Sequence, residues 1–241
     1  MERRPQRVLL LSERLALLAQ RDQQARAAEP PRNMSQSLFT PPPLAGPVVR
    51  WITSKFRVPY DWVVMDLETT GLGQSAEVIE IAIVSANGAV LLNQLVMPKG
   101  RIPKRVTSKT GIDRRLLRGC PHWPEIDRQV RDILRDRSVI TYNADFDVRM
   151  LQQTTQKWSL PPIGVQDCCA MISYAKYRGI KHPWRKGEFK WHKMVDALRH
   201  EGIAHGKLHR ALPDAMATRE LVLRMIDSPR PWLARPFLPR K

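Results

Sequence analysis

Cysteine is scarce in this 241-residue chain, which has three: Cys120 and the adjacent pair Cys168 and Cys169. An odd count with no Cys-x-x-Cys spacing supports neither a disulfide framework nor a zinc site, and it fits a reducing compartment. No apolar run approaches the ~20 residues needed to cross a bilayer. The run nearest the start, Val8 to Leu11, ends at Ser12-Glu13-Arg14, too early for a signal peptide. A cytoplasmic protein with no membrane partner is expected, and no internal repeat is present. Acids are also short: 23 stand against 40 Lys and Arg, for a formal net charge of +17. A folded domain so basic suggests a polyanion partner, most often nucleic acid, but says nothing about catalysis. The excess is spread along the chain. Residues 1–58 hold ten Lys/Arg against four acids and residues 228–241 four against none, which leaves +7 for the body between them.

Four segments follow from the patterning. Val8, Leu11, Leu15 and Leu18 form one apolar stripe, so residues 1–28 read as an amphipathic helical arm. Such a helix can dock on the body, dimerise or bind a protein partner. The proline density of residues 29–58 favours an extended linker. A body follows over 59–227. The tail, 228–241, is basic and proline-rich.

The body is organised around Asp61-Trp-Val-Val-Met-Asp-Leu-Glu-Thr-Thr-Gly-Leu72. Trp62 to Leu67 is the apolar run of a strand buried on both faces, interrupted by Asp66 and Glu68. Their spacing of two puts both carboxylates on one side. Unpaired, each would cost several kcal/mol to desolvate. A magnesium or manganese ion between them relieves that cost, as does solvent or an Arg at a strand end. Val78 to Ala86 and Ala89 to Met97 flank Asn87-Gly88, a type I′ hairpin signal. Glu80 breaks the first of these strands and is expected at an edge or paired. Helix is predicted for Pro124 to Arg137, Asp145 to Trp158, Met194 to Leu198 and Pro213 to Ile226. Shorter strands are predicted at Ser138 to Tyr142 and Val165 to Cys169. Five strands and these helices indicate an α/β fold with a mixed sheet. Tyr177 to Trp191 is basic with Trp and Phe interleaved, which suits either a grip on single-stranded nucleic acid or an insertion whose aromatics cover the body.

Two later segments add acids. In Tyr142-Asn-Ala-Asp-Phe-Asp147, Asp145 is placed as a helix N-cap and Asp147 in the first turn, where the helix dipole favours negative charge. Both can be capping acids alone. In His209-Arg-Ala-Leu-Pro-Asp214, Pro213 fits a first helical turn, which leaves Asp214 in that turn and His209 on the incoming loop. A histidine beside a carboxylate-bound metal pair is a natural general base.

Asp66-Leu-Glu-Thr-Thr-Gly, Asn143-Ala-Asp-Phe-Asp147 and His209-Arg-Ala-Leu-Pro-Asp214 resemble, in order and approximate spacing, the three motifs of the DnaQ-like DEDDh exonucleases. That family includes the proofreading epsilon subunit of DNA polymerase III. Ile102-Pro103 with Thr110-Gly-Ile112, and Val195 to Leu198, are also similar, so the likeness covers about Asp61 to Asp227. It implies a ribonuclease H-like domain with a five-stranded mixed sheet and 3′→5′ exonuclease activity on single-stranded or frayed 3′ ends, DNA being the expected substrate. It also implies two Mg2+ or Mn2+ ions held by Asp66, Glu68, Asp147 and Asp214, with His209 as general base. Thr69, Thr70, Gly71, Leu72 and Asn143 would contact the substrate, and Phe146 would belong to the core. Tyr142 and Lys109-Thr110 depart from the usual pattern at substrate contacts, not at metal ligands. The rival readings are a non-catalytic nucleic-acid-binding or assembly subunit, and an exoribonuclease. All five catalytic positions carry competent residues, which disfavours the first.

Overall fold

A computed structural model of the chain describes residues 62–226. The arm (1–28), the linker (29–58) and the tail (228–241) lie outside the described residues. Strands β1 (Trp62–Thr69), β2 (Val78–Ser85), β3 (Val90–Leu95), β4 (Ser138–Thr141) and β5 (Gln166–Cys169) form one sheet in the order β3-β2-β1-β4-β5. β1, β2 and β3 are an antiparallel meander, and β4 and β5 continue the sheet parallel to β1. Helices α1 (Lys104–Thr110) and α2 (Trp123–Leu134) cross from β3 to β4, and α3 (Ala144–Lys157) joins β4 to β5. Helices α4 (Ala170–Arg178), α5 (Met194–His200) and α6 (Ala211–Ile226) follow. The mixed five-stranded sheet is as predicted. No helix among the described residues is long and apolar enough to cross a membrane.

β1 is central because its apolar side chains feed two cores alternately. Trp62 and Val64 join Val84, Ile140 and the α4–α6 residues Tyr174, Leu198 and Leu221 on one face. Val63, Met65 and Leu67 join Ile81, Ile83, Val130 of α2 and Met150 of α3 on the other. Each large side chain so buried contributes roughly 1.5–3 kcal/mol, so a one-residue slip of register would be ruinous. That register decides where the acids go. Asp66 and Glu68 continue the face of Trp62 and Val64, toward α6. Opposite Asp66 on β2 stands the small Ala82, and opposite Glu68 stands Glu80.

Glu80 is paired, and β2 is an internal strand. Its carboxylate accepts Arg210 Nε at 3.0 Å on both oxygens and Arg210 Nη2 at 2.6 Å. It also accepts the Ala211 amide at 3.0 Å, one of the α6 amides that has no partner within the helix. This buried acid therefore ties the start of α6 to the sheet.

Two local expectations need correction. The Asn87-Gly88 hairpin forms, but type I′ requires positive φ at both central residues, and here Gly88 alone of the two has it (φ 89). Gly88 N–H donates to the Ser85 carbonyl and Ser85 N–H to the Ala89 carbonyl, both at 2.9 Å, which is a type I turn followed by a bulge. Asp145 is not the cap of α3. Asn143 is, and its carbonyl accepts the Phe146 and Asp147 amides, so Asp145 sits within the first turn. Two helices, α1 and α4, are additions to those expected, and α4 shows why. Its buried Ala170, Ser173, Tyr174 and Tyr177 share one face, but half-buried Met171 and Ile172 on other sides blur the contrast a sequence pattern needs.

Candidate active site

Neighbouring parallel strands β1 and β4 end on the same edge of the sheet, where ligands of open α/β sheets bind. A cavity of about 460 Å³ opens there. Asp66 and Glu68 reach it from β1, beside a register shift between Glu68 and Thr69. Asp147 enters from the first turn of α3, directly after β4, and Asp214 from the first turn of α6. His209 enters from the loop before α6. Ligand atoms of Glu68, His209 and Asp214 lie within 4.8 Å of one another. All five predicted catalytic residues thus line one cavity.

His209 is held by its backbone. Its φ of 74 is in the left-handed region, uncommon outside glycine although more frequent for His than for most residues. In that conformation its amide donates to both carboxylate oxygens of Asp214, at 3.2 and 3.1 Å. The ring is left exposed toward the cavity.

The acids repel one another. Burial, and then the charges of Asp147, Asp214 and Glu68, push Asp66 well above the usual carboxylate range. Burial and Asp214 bring Glu68 to about 7, with nearby Lys109 opposing. Asp147 rises to about 7 through burial and the charge of Glu68, and Asp214 to about 6 through burial, opposed by the His209 amide. Other buried acids are neutralised locally: Glu77 meets Lys157 Nζ at 2.8 Å and Glu80 meets Arg210. His209 moves the other way, lowered by burial and by Lys109 and Lys207, which favours the neutral ring. Four converging hard-oxygen donors with this much mutual repulsion fit a divalent cation.

A pH dependence follows. These acids hold protons more tightly in the folded chain than in the unfolded one, so without cations stability is lost as pH rises from about 4 through about 7. In EDTA the melting temperature should drop by roughly 5 °C between pH 5 and pH 7.5, and magnesium should recover most of that loss at pH 7.5. A flat profile in EDTA would mean that the acids do not crowd one another.

The RNase_T family model, described as an exonuclease, matches residues 63–222. The chain belongs to this exonuclease family. It is 38% identical over 169 residues to an uncharacterized exonuclease, CP81, of Escherichia phage 186, covering 67% of this chain and 86% of that protein. It is 25% identical over 171 residues to the DNA polymerase III subunit epsilon of Aquifex aeolicus, covering 69% of this chain and 80% of that protein. In structure it is similar to the nuclease domain of 3′hExo, a DEDDh family member bound to rAMP, with a TM-score of 0.52 at 21% identity over 69% of this chain and 92% of that one.

Within this exonuclease the remaining predicted residues separate. Thr69, Gly71, Leu72 and Asn143 line the cavity, with Leu72 72% exposed. Thr70 does not line it. Its hydroxyl accepts the Glu77 amide at 2.9 Å and its amide donates to the Glu77 carbonyl, so it shapes the turn from behind. The Thr69 hydroxyl is likewise committed, donating to the Gly71 carbonyl at 2.7 Å. Phe146, expected in the core, is half-buried: it packs against the core beside Met150 and Leu151 and also lines the cavity. Lys109, singled out as a departure at a substrate contact, also lines it, and so does Arg105, which was not predicted. Their i, i+4 spacing, which places two cations on one side of a helix, was the available signal.

Proposed function

We propose that this exonuclease removes nucleotides from unpaired 3′ ends of nucleic acid, DNA foremost, with two Mg2+ or Mn2+ ions and with His209 as general base. The observation that carries this reading is that four carboxylates from three distant segments line one cavity with the His209 imidazole. Asp66, Glu68, Asp147 and Asp214 would hold the ions. Bound there, the ions would supply positive charge to the attacking and leaving oxygens of an in-line displacement. His209 accepts the proton of the attacking water, and the Asp214 clamp on its amide holds the residue where its ring lies near Glu68 and Asp214. Arg105 and Lys109 face the phosphates of the strand from α1. Leu72 packs against the terminal base at the rim, and Gly71 and Asn143 bring main chain and amide to the terminal nucleotide. The cavity admits single chains, so an end that is already unpaired reacts fastest.

DNA is favoured over RNA by the likeness to a DNA polymerase III subunit. That relative is by name a subunit, which supports reading the body (59–227) as the catalytic unit and residues 1–28 as a tether to a protein partner. The deciding experiment offers matched 5′-labelled DNA and RNA oligonucleotides with Mg2+, Mn2+ or EDTA. A ladder shortening from the 3′ end, faster on single strands than on blunt duplex, faster on DNA and silenced by EDTA, is the expected result. Failure to shorten any strand would leave the binding-subunit reading in its place.

A further inference from the structure

Between α4 and α5 the chain leaves the body as a hairpin, residues 179–191. Lys190 N–H donates to the Ile180 carbonyl and His182 N–H to the Glu188 carbonyl, both at 2.8 Å, and Lys181 pairs antiparallel with Phe189. At the tip His182 Nδ1 accepts the amides of Trp184 (3.2 Å) and Arg185 (3.1 Å), and Gly187 supplies a positive φ of 86. The backbone is therefore well held. Its indoles are nevertheless not used to bury apolar surface: Trp184 is 88% exposed and Trp191 51%. Phe189 is half-buried.

Cations are interleaved with these rings along the hairpin. Lys181, Arg185, Lys186 and Lys190 stand against one acid, Glu188, which pairs with Arg185 at 3.3 Å. The Arg185 guanidinium lies 5.9 Å from the centre of the Trp191 ring. Exposed rings with interleaved cations are what a single-stranded polyanion needs, since bases stack on the rings while phosphates meet the charges. The root of the hairpin is the cavity wall. Tyr142 lines the cavity, and its hydroxyl donates to the His192 carbonyl at 2.8 Å. Met194, two residues further, lines the cavity too.

We propose that the hairpin at 179–191 is a second binding site for single-stranded nucleic acid. It holds the strand leading away from the terminal nucleotide by stacking bases on Trp184 and Trp191. The proposal rests on the function above for the strand's other end being in the cavity, but binding at the hairpin needs no cleavage.

The test uses the full chain and fluorescent single strands of about 3 and about 12 nucleotides, the longer within the usual span of such sites. Stacking of one base is worth roughly 5- to 150-fold in affinity. In EDTA, Trp184→Ala should therefore bind the longer strand, DNA or RNA, about fivefold or more weakly. Trp184→Ala with Trp191→Ala should bind it more weakly still, and Trp184→Phe should recover most of the loss. Binding and metal-dependent trimming of the short strand should not change, nor should the melting temperature. Wild-type affinity for the longer strand in the double variant overturns the proposal and leaves the nuclease reading intact. So does wild-type binding that is equal for the two lengths. If the wild type trims nothing while the Trp variants still lose the longer strand, the nuclease reading fails and the hairpin site stands.

Discussion

Asp66→Asn should leave a folded chain that shortens labelled 3′ ends about 10³-fold more slowly, or worse. Asp66 lines the cavity, and after burial the negative charges of all three other acids make it harder to ionise. Removing its negative charge weakens the grip on cations that would contribute several kcal/mol to the transition state, and each 1.36 kcal/mol is a factor of ten in rate. Asn has nearly the same shape and sits opposite Ala82, so nothing must repack. The substitution also takes one like charge out of a crowded site. In EDTA at pH 7.5 the variant should therefore melt at a higher temperature than the wild type. Slow trimming together with a raised melting point is the signature. Undiminished trimming by Asp66→Asn would dispose of the catalytic assignment, and a lowered melting point would show that Asp66 has a structural partner.

His209→Asn should lower kcat by roughly 10²- to 10⁴-fold, the usual worth of a positioned base. Asn is chosen because it tolerates the left-handed backbone that the Asp214 clamp requires, so the fold and the acid stay in place. Calorimetric affinity for Mn2+ should be unchanged. If affinity falls along with turnover, the imidazole is a ligand, which its closeness to Glu68 and Asp214 would permit. If neither changes, proton removal does not pass through this ring.

Much of this was legible because it is local. The apolar run of β1 with acids two apart sets both the face and the direction of Asp66 and Glu68, since strand periodicity leaves no choice. Pro213 marks the start of α6, and with it the position of Asp214, because a proline fits only where the amide is unbonded. The misses have physical reasons as well. Asn87 commits its side-chain oxygen to the Ala89 amide at 3.2 Å, and the right-handed turn that results is not distinguished from type I′ by the dipeptide alone. α4 packs Tyr174 against α5 and α6, but Ser173 on its buried face and Met171 and Ile172 off it hide the stripe in the sequence. Thr70 belongs to a sequence that fits a substrate clamp, yet its hydroxyl is taken by Glu77, seven positions on. Arg105 was missed because it reaches the cavity through the packing of its neighbour Val106 with Ile79, Ile112 and Leu117, and Ile79 lies across the fold.

The pairing of Glu80 with Arg210 spans 130 positions, and neither residue belongs to the acid cluster. It nevertheless fixes how far the first turn of α6 stands from β1. A designer transplanting this chemistry onto another scaffold would have to carry both partners along with the groups that face the strand. Moved without them, the helix bearing Asp214 would arrive with its opening amide unmet and its distance to the sheet unset.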